Sequence, residues 1–224
     1  RTLFPYTTLF RSLVDDGSSP ACAAVLAQLA SLDNVSLLTL PSNQGKGSAV
    51  MAGFREAARL GFTHALQVDA DGQHDLREVE NFIDTSRRHP TAVICGYPEY
   101  DDSVPKGRLY ARYLTHVWVW INTLSLQIRD SMCGFRVYPL APTLALMNSA
   151  YIGTHMDFDS DILVRLAWRN QPMRWLPTKV HYPADGLSHF RLFRDNVRIS
   201  AMHTRLFFGM LVRAPMILWR RWQA

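Results

Sequence analysis

Apolar and polar positions along the first hundred residues switch repeatedly between a strand period and a helix period. SLVDDGSSP (12–20) ends a short apolar run in a polar loop, with Ser18 or Ser19 placed to cap a helix and Pro20 in its first turn. Residues 21–32 carry an Ala- and Leu-rich helical pattern, and VSLLTL (35–40) is an apolar run of strand length. PSNQGKGS forms a Gly-containing loop that opens a helix over 48–60, closed by Gly61. HALQV (64–68) reads as a strand, DLREVENFIDTSRRH as a helix stopped by Pro90, and TAVICGY (91–97) as a strand again. Strand and helix thus alternate with short loops. The pattern predicts an α/β fold with a mostly parallel sheet and helices on both faces.

The pattern changes after residue 97. Residues 98–107 read as a polar loop and 107–127 as a helix rich in aromatics. Arg112, His116 and Asn122 interrupt that helix, so it is a poor membrane span. DSMCGFRVYP follows as a short segment, DFDSDILVRLAWRN as a helix and MRWLPTKVHYP as a strand. The opening dozen, RTLFPYTTLFRS, holds no sustained period and is read as a foreign or non-native segment (1–12).

The chain has 224 residues, 48% hydrophobic and 19% charged, which suits one large domain with ample core. Its net charge is +5, and the excess is uneven. Arg191, Arg194, Arg198, Arg205, Arg213, Arg220 and Arg221 face Asp195 alone. Cys22, Cys95 and Cys133 show neither a CxxC pair nor zinc spacing and read as reduced thiols.

LQVDADGQHD (66–75) gathers Asp69, Asp71 and Asp75 at the end of an apolar run. Like charges so close need a reason. A calcium loop fails because its sixth position, which requires Gly, is His74. A P-loop at NQGKGS fails because Leu40 stands where its first Gly is needed and Gly47 follows Lys46. A receiver-like phospho-acceptor domain could use Asp15, Asp16 and Asp69, but it leaves Asp71, Gln73 and the last hundred residues unexplained. A divalent-metal site for a nucleotide diphosphate accounts for more. Asp-x-Asp at a strand end offers two carboxylates, and magnesium or manganese takes one or two carboxylates together with substrate phosphates. In parallel α/β sheets ligands lie beyond the carboxyl ends of the strands. Asp15 and Asp16 end one strand, Asp69 and Asp71 another, so they are expected at one rim.

An ordered set of segments resembles glycosyltransferase family 2, in particular its dolichyl- or polyprenyl-phosphate mannosyl/glucosyltransferase branch. VDDGSS (14–19), NQGKGSAVMAGFREA (43–57), VDADGQH (68–74), DSMCGFRVYP (130–139) and ADGLSHF (184–190) carry the likeness, in the family's order over about 13–190. The resemblance implies a GT-A fold and inverting transfer from a UDP- or GDP-sugar, with Mg2+ or Mn2+ held by Asp69, Asp71 and Gln73. It implies donor contacts from Asp15, Asp16, Asn43, Gly45, Lys46 and Asp69, and an acceptor side of Gly134, Arg136 and Ser188. It also implies a further strand ahead of VDDGSS, so the N-terminal strand reads as truncated. A phosphate acceptor is already an anion and needs no strong base. A hydroxyl acceptor needs one, and Asp130, Asp159 and Asp161 are the candidates. The acceptor is expected to be lipid-borne, with a soluble or protein hydroxyl as the alternative.

The tail, 191–224, mixes Arg with Phe, Leu, Met and Trp at helical spacing. Arg213 and Pro215 interrupt its apolar run, which suits a helix lying in the headgroup region of an anionic membrane. No basic groove with stacked aromatics suggests nucleic acid. The expectation is a cytoplasmic protein, peripheral on the inner face of the cell membrane.

Overall fold

The computed structural model describes residues 9–100, 106–180 and 191–223. The elements run β1 (Arg11–Asp15), α1 (Pro20–Leu29), β2 (Val35–Thr39), α2 (Lys46–Arg59), β3 (His64–Gln67), a 3-10 turn (Leu76–Glu78), α3 (Val79–Arg88) and β4 (Val93–Tyr100). They continue with α4 (Lys106–Thr123), β5 (Arg136–Pro139), α5 (Leu140–Ser149), α6 (Phe158–Trp168), β6 (Met173–Val180) and α7 (Leu192–Trp222). Local chemistry sets several ends. The Ser19 hydroxyl accepts from Cys22 N ahead of Pro20, opening α1. Gly61, at φ 87°, follows the last turn of α2, where its N–H reaches Ala58 O.

β1 and β2 pair in parallel from Arg11↔Val35 to Asp15↔Thr39, so a boundary at residue 12 falls inside a strand. The second sheet has the order β3-β5-β4-β6. β4 and β6 are parallel, but β5 runs antiparallel to both β3 and β4. The fold is α/β as expected, while this sheet is mixed. The cause is the route into β5. Gly134 lies beside Asp69, just past the C-terminal end of β3, so β5 starts at that rim and runs away from it. Helix α2 packs over both β1 and β3 and links the two sheets.

The four-stranded sheet is covered on both faces, and side-chain alternation assigns its residues. Val93, Cys95 and Tyr138 face one core with Met51 and Phe54 of α2, Leu146 of α5 and Phe158 and Ile162 of α6. Ile94, Phe135 and Val137 face the other, with Val79 and Phe82 of α3. Strand β4 continues past Pro98 to Tyr100 because β6 pairs with it throughout, where a loop is predicted from sequence. Helix α4 stops at Thr123, ahead of Leu124 at φ 51°.

The C-terminal segment is one unbroken helix through Pro215, and it belongs to the core. Met202, Leu206, Met210 and Ile217 pack into the α2/α6 cluster, and α7 lies against α4 and α6. Among the described residues no helix is long and apolar enough to cross a membrane.

Candidate active site

The rim is built from three loops that lock onto one another. Asp15 is buried at the end of β1 and accepts from Ser18 N at 2.8 Å. The Ser18 hydrogen bonds hold its carboxyl below the usual range. Asp16 reaches across to the next loop and accepts from Gln44 N and Gly45 N, both at 2.7 Å. Gly17 fits because its backbone touches that loop; a Cβ there would lie 2.7 Å from Asn43 N. On its other side the Asn43–Gly47 loop is wedged against residues 153–158. Ser48 N donates to Thr154 O at 3.0 Å, and a Cβ on Gly45 would lie 2.6 Å from that same oxygen. Gly45 also has φ 97°, so Gly45→Ala adds backbone strain to the clash. It should cost about 2 kcal/mol of unfolding free energy, read from chemical denaturation; an unchanged midpoint would show that the loop can yield.

Lys46, the first residue of α2, stands at the centre. Its Nζ lies 2.6 Å from Asp69 Oδ2 and 2.6 Å from Asp159 Oδ2. Burial alone would lower the lysine pKa, but Asp159 and Asp69 more than reverse that and hold it raised. Asp159 sits on the first turn of α6 and also accepts from Gln67 Nε2 at 3.1 Å. Beneath it, Arg136 Nη1 donates to the Asp159 backbone oxygen at 2.9 Å. Burial would raise the Asp159 pKa, yet Lys46 and Arg136 keep it lowered. Gly134 gives Asp69 its room, for a Cβ there would land on the Asp69 carboxylate.

Asp71 is exposed on the same loop, and its Oδ1 accepts from Gln73 N at 3.0 Å. His74 stacks on Phe135, and burial lowers its pKa against the pull of Asp69 and Asp71.

The three candidate bases part company. Asp159 faces the rim. Asp130 accepts a bidentate pair from Arg112 at 2.7 and 2.6 Å and two backbone N–H groups, from Met132 and Cys133. Asp161 is fully buried and turned away. It accepts from Gly153 N, Arg165 and Arg205, tying α6 to α7. Residues two apart on a helix point about 200° apart, so Asp159 and Asp161 cannot share a site. Arg136 is 0% exposed and presents no surface to an acceptor; it supports Asp159 from behind. Ser188 lies outside the described residues. Arg112, Gln67 and Thr154 also belong to this site, and no sequence spacing announces them.

The residues suit a hard divalent cation. Asp69 and Asp71 offer carboxylate oxygens and Gln73 an amide, the donors magnesium and manganese prefer. A cation already stands against Asp69 in the form of the Lys46 ammonium.

Comparison with known proteins identifies the family and the fold. The model of glycosyl transferase family 2 matches residues 12–154. A dolichyl-phosphate beta-glucosyltransferase of Dictyostelium discoideum is 26% identical over 172 residues, covering 72% of this chain and 51% of that protein. A polyprenol monophosphomannose synthase of Mycolicibacterium smegmatis is 29% identical over 139 residues, covering 56% and 49%. The chain therefore spans about half the length of these relatives. Among solved structures, glucosyl-3-phosphoglycerate synthase of Mycobacterium tuberculosis in complex with UDP superposes with a TM-score of 0.57 at 14% identity, covering 90% of this chain and 68% of that one. The same enzyme with Mn2+ and UDP-glucose superposes at 0.52. At such identity the likeness establishes the fold, which is of the GT-A type. With the family model matched over well more than half of its length, the chain belongs to glycosyl transferase family 2.

Proposed function

We propose that this chain transfers a sugar, with inversion, from a UDP- or GDP-sugar to a lipid-borne phosphate at an anionic membrane surface. The observation that carries the acceptor class is the state of the candidate bases. Asp130 is held by Arg112, Asp159 by Lys46, and Asp161 by Arg165 and Arg205. Carboxylate oxygens already occupied by ammonium and guanidinium donors are not presented to an incoming hydroxyl. An acceptor that brings its own negative charge needs no base.

In this reading the Asn43–Gly47 loop and Asp16 shape the donor pocket, and Asp69, Asp71 and Gln73 hold Mg2+ or Mn2+. The bound ion supplies positive charge against the departing diphosphate. Lys46 adds a second positive charge at the same rim and keeps Asp69 turned inward. An acceptor phosphate oxygen attacks the anomeric carbon as the bond to the diphosphate oxygen breaks. The electron pair leaves with the diphosphate, and no proton moves to the protein. The names of the relatives support a lipid-phosphate acceptor.

The membrane contact rests on exposed side chains. Phe193, Val197, Phe208, Leu211, Val212, Leu218, Trp219 and Trp222 are exposed and, at 100° per residue, fall on one side of α7. Trp118 of α4 meets Phe207 edge-on at 6.4 Å, which joins the exposed Tyr110, Tyr113 and Leu114 to that stripe. Arg191 and Arg194 flank its start. A helix with one apolar side in the core and another in solvent, edged with arginine, suits an interfacial position. The unpaired thiols of Cys22, Cys95 and Cys133 suit the reducing cytoplasmic side.

The test is a thermal-shift titration with UDP and GDP, each with and without Mn2+, followed by transfer from the preferred donor to a polyprenyl phosphate or a free sugar hydroxyl. One diphosphate should stabilise the protein only with metal, and Asp71→Ala should abolish the shift. Transfer should go to the phosphate. Stabilisation without metal dependence would overturn the donor assignment, and transfer to the hydroxyl alone would overturn the acceptor.

A further inference from the structure

A cleft of ≈ 340 Å³, walled by arginines together with Leu146, Ala150 and Met216, opens at the far end of α6 from the rim. Asp159 lies on the first turn of that helix, and the cleft is built on its last turn, roughly 15 Å along the axis. Its walls are Ser149 at the end of α5, Arg165, Trp168 and Arg169 from α6, and Arg213 and Arg220 from α7. Four arginines therefore line the cleft, two of them, Arg165 and Arg213, with their guanidinium groups near the Trp168 ring.

Each arginine is already oriented. Arg213 lies over the Trp168 ring at 4.8 Å and donates to Gly209 O at 2.9 Å. Arg220 donates to Trp168 O at 3.0 Å. Arg169 donates to the Ser149 hydroxyl. Arg165 lies 5.8 Å from the Trp168 ring and is paired with Asp161 at 2.6 Å. Among the described residues no carboxylate lies within ion-pair distance of Arg169, Arg213 or Arg220. A guanidinium carries five N–H donors, so one bond each to a carbonyl or hydroxyl leaves most of them open. Converging, pre-oriented guanidinium forks with no resident anion have the geometry that recognises phosphate oxygens in pairs. The ends of α5 and α6 account for one arginine here, since cations suit helix C-termini. They do not explain a cleft lined by four.

We propose that this cleft is an anion site for a phosphate group, separate from the transferase rim. The exposed stripe of α7 runs beside it, because Val212 and Trp219 are the helix neighbours of Arg213 and Arg220. The phosphate is therefore that of an acidic lipid headgroup or a free phosphate ion. Only the lipid source rests on the membrane reading given above.

Two arms decide. The first is a thermal-shift titration with inorganic phosphate and pyrophosphate on the full chain. A shift should appear, persist in Asp71→Ala, and disappear in Arg213→Gln/Arg220→Gln. Persistence in Asp71→Ala separates this site from the donor rim. The second is co-sedimentation with phosphatidylglycerol vesicles against phosphatidylcholine vesicles. The double variant should lose at least about tenfold in apparent affinity for the acidic vesicles. The charge-matched control Arg55→Gln/Arg174→Gln, at exposed positions of α2 and β6, should lose no more than about threefold. A selective vesicle loss names the headgroup, and a selective phosphate shift without it names the free ion. Equal vesicle losses in the two double variants, with no phosphate shift, would mean that the arginines only cap helices, and the proposal falls. Should the double variant misfold, Arg169→Gln, at an exposed position, repeats both arms.

Discussion

Lys46→Met is expected to lower the unfolding free energy by about 3 kcal/mol and transfer by at least about 100-fold. The stability loss follows from what the ammonium holds apart. Asp159 is nearly buried and Asp69 half-buried, and both carboxylates rest on one nitrogen. Without it two negative charges face each other across a partly dry gap, and removing one partner of such an arrangement leaves an uncompensated charge. For a chain of this size the loss corresponds to roughly 6–12 °C in Tm. The pH dependence gives a second readout. Asp159 has a lowered pKa in the folded state, so its pairing contributes stability that is full above the unfolded carboxyl value of about 4. That contribution fades as pH falls through the lower folded value. The wild type should thus lose stability in acid, and Lys46→Met, whose Asp159 retains only Arg136 and Gln67, should lose less. A Tm equal to that of the wild type at pH 7, or an identical acid slope, would show that Lys46 is a solvated neighbour and not the clamp.

Much of this architecture is legible in the sequence. Alternating periods disclose the order of elements through β4, and Asp-x-Asp after an apolar run marks the rim. The family match over 12–154 sets aside the receiver-like alternative. What stays hidden is what depends on distant pairing. The Lys46–Asp159 contact joins residues far apart in the chain, and no local period encodes it. Asp159 and Asp161 look equivalent as acids at a helix start. Only their position on the folded helix separates a rim carboxylate from a buried tie between α6 and α7. Arg136 resembles a surface cation on a short polar segment, but that segment becomes β5, flanked by β3 and β4, where all four residues are buried. Helix α5 is absent from the local reading; its Pro142 falls in the first turn, where proline costs a helix little. Pro215, read from sequence as interrupting the apolar run of a helix, lies inside α7, which packs against α4 and α6.

Gly134→Ala separates folding from function most cleanly. The added methyl lands on the Asp69 carboxylate, which sits at the end of a flexible side chain and can swing aside. The backbone at Gly134 has no positive φ, so alanine brings no left-handed strain. The change in stability should therefore stay within about 1 kcal/mol. Asp69 is then displaced from Lys46 and from the position in which its oxygen would serve the proposed metal site. A misplacement of about 1 Å at a reacting centre can cost about 100-fold in rate. The variant should keep a near-normal Tm, lose the metal-dependent shift with nucleotide diphosphate, and fall by at least that factor in transfer. Gly45→Ala should show the reverse balance, since its added methyl meets a backbone carbonyl that cannot swing. If Gly134→Ala instead unfolds while retaining metal-dependent donor binding, the glycine serves only the entry into β5, and Asp69 does not need the space it leaves.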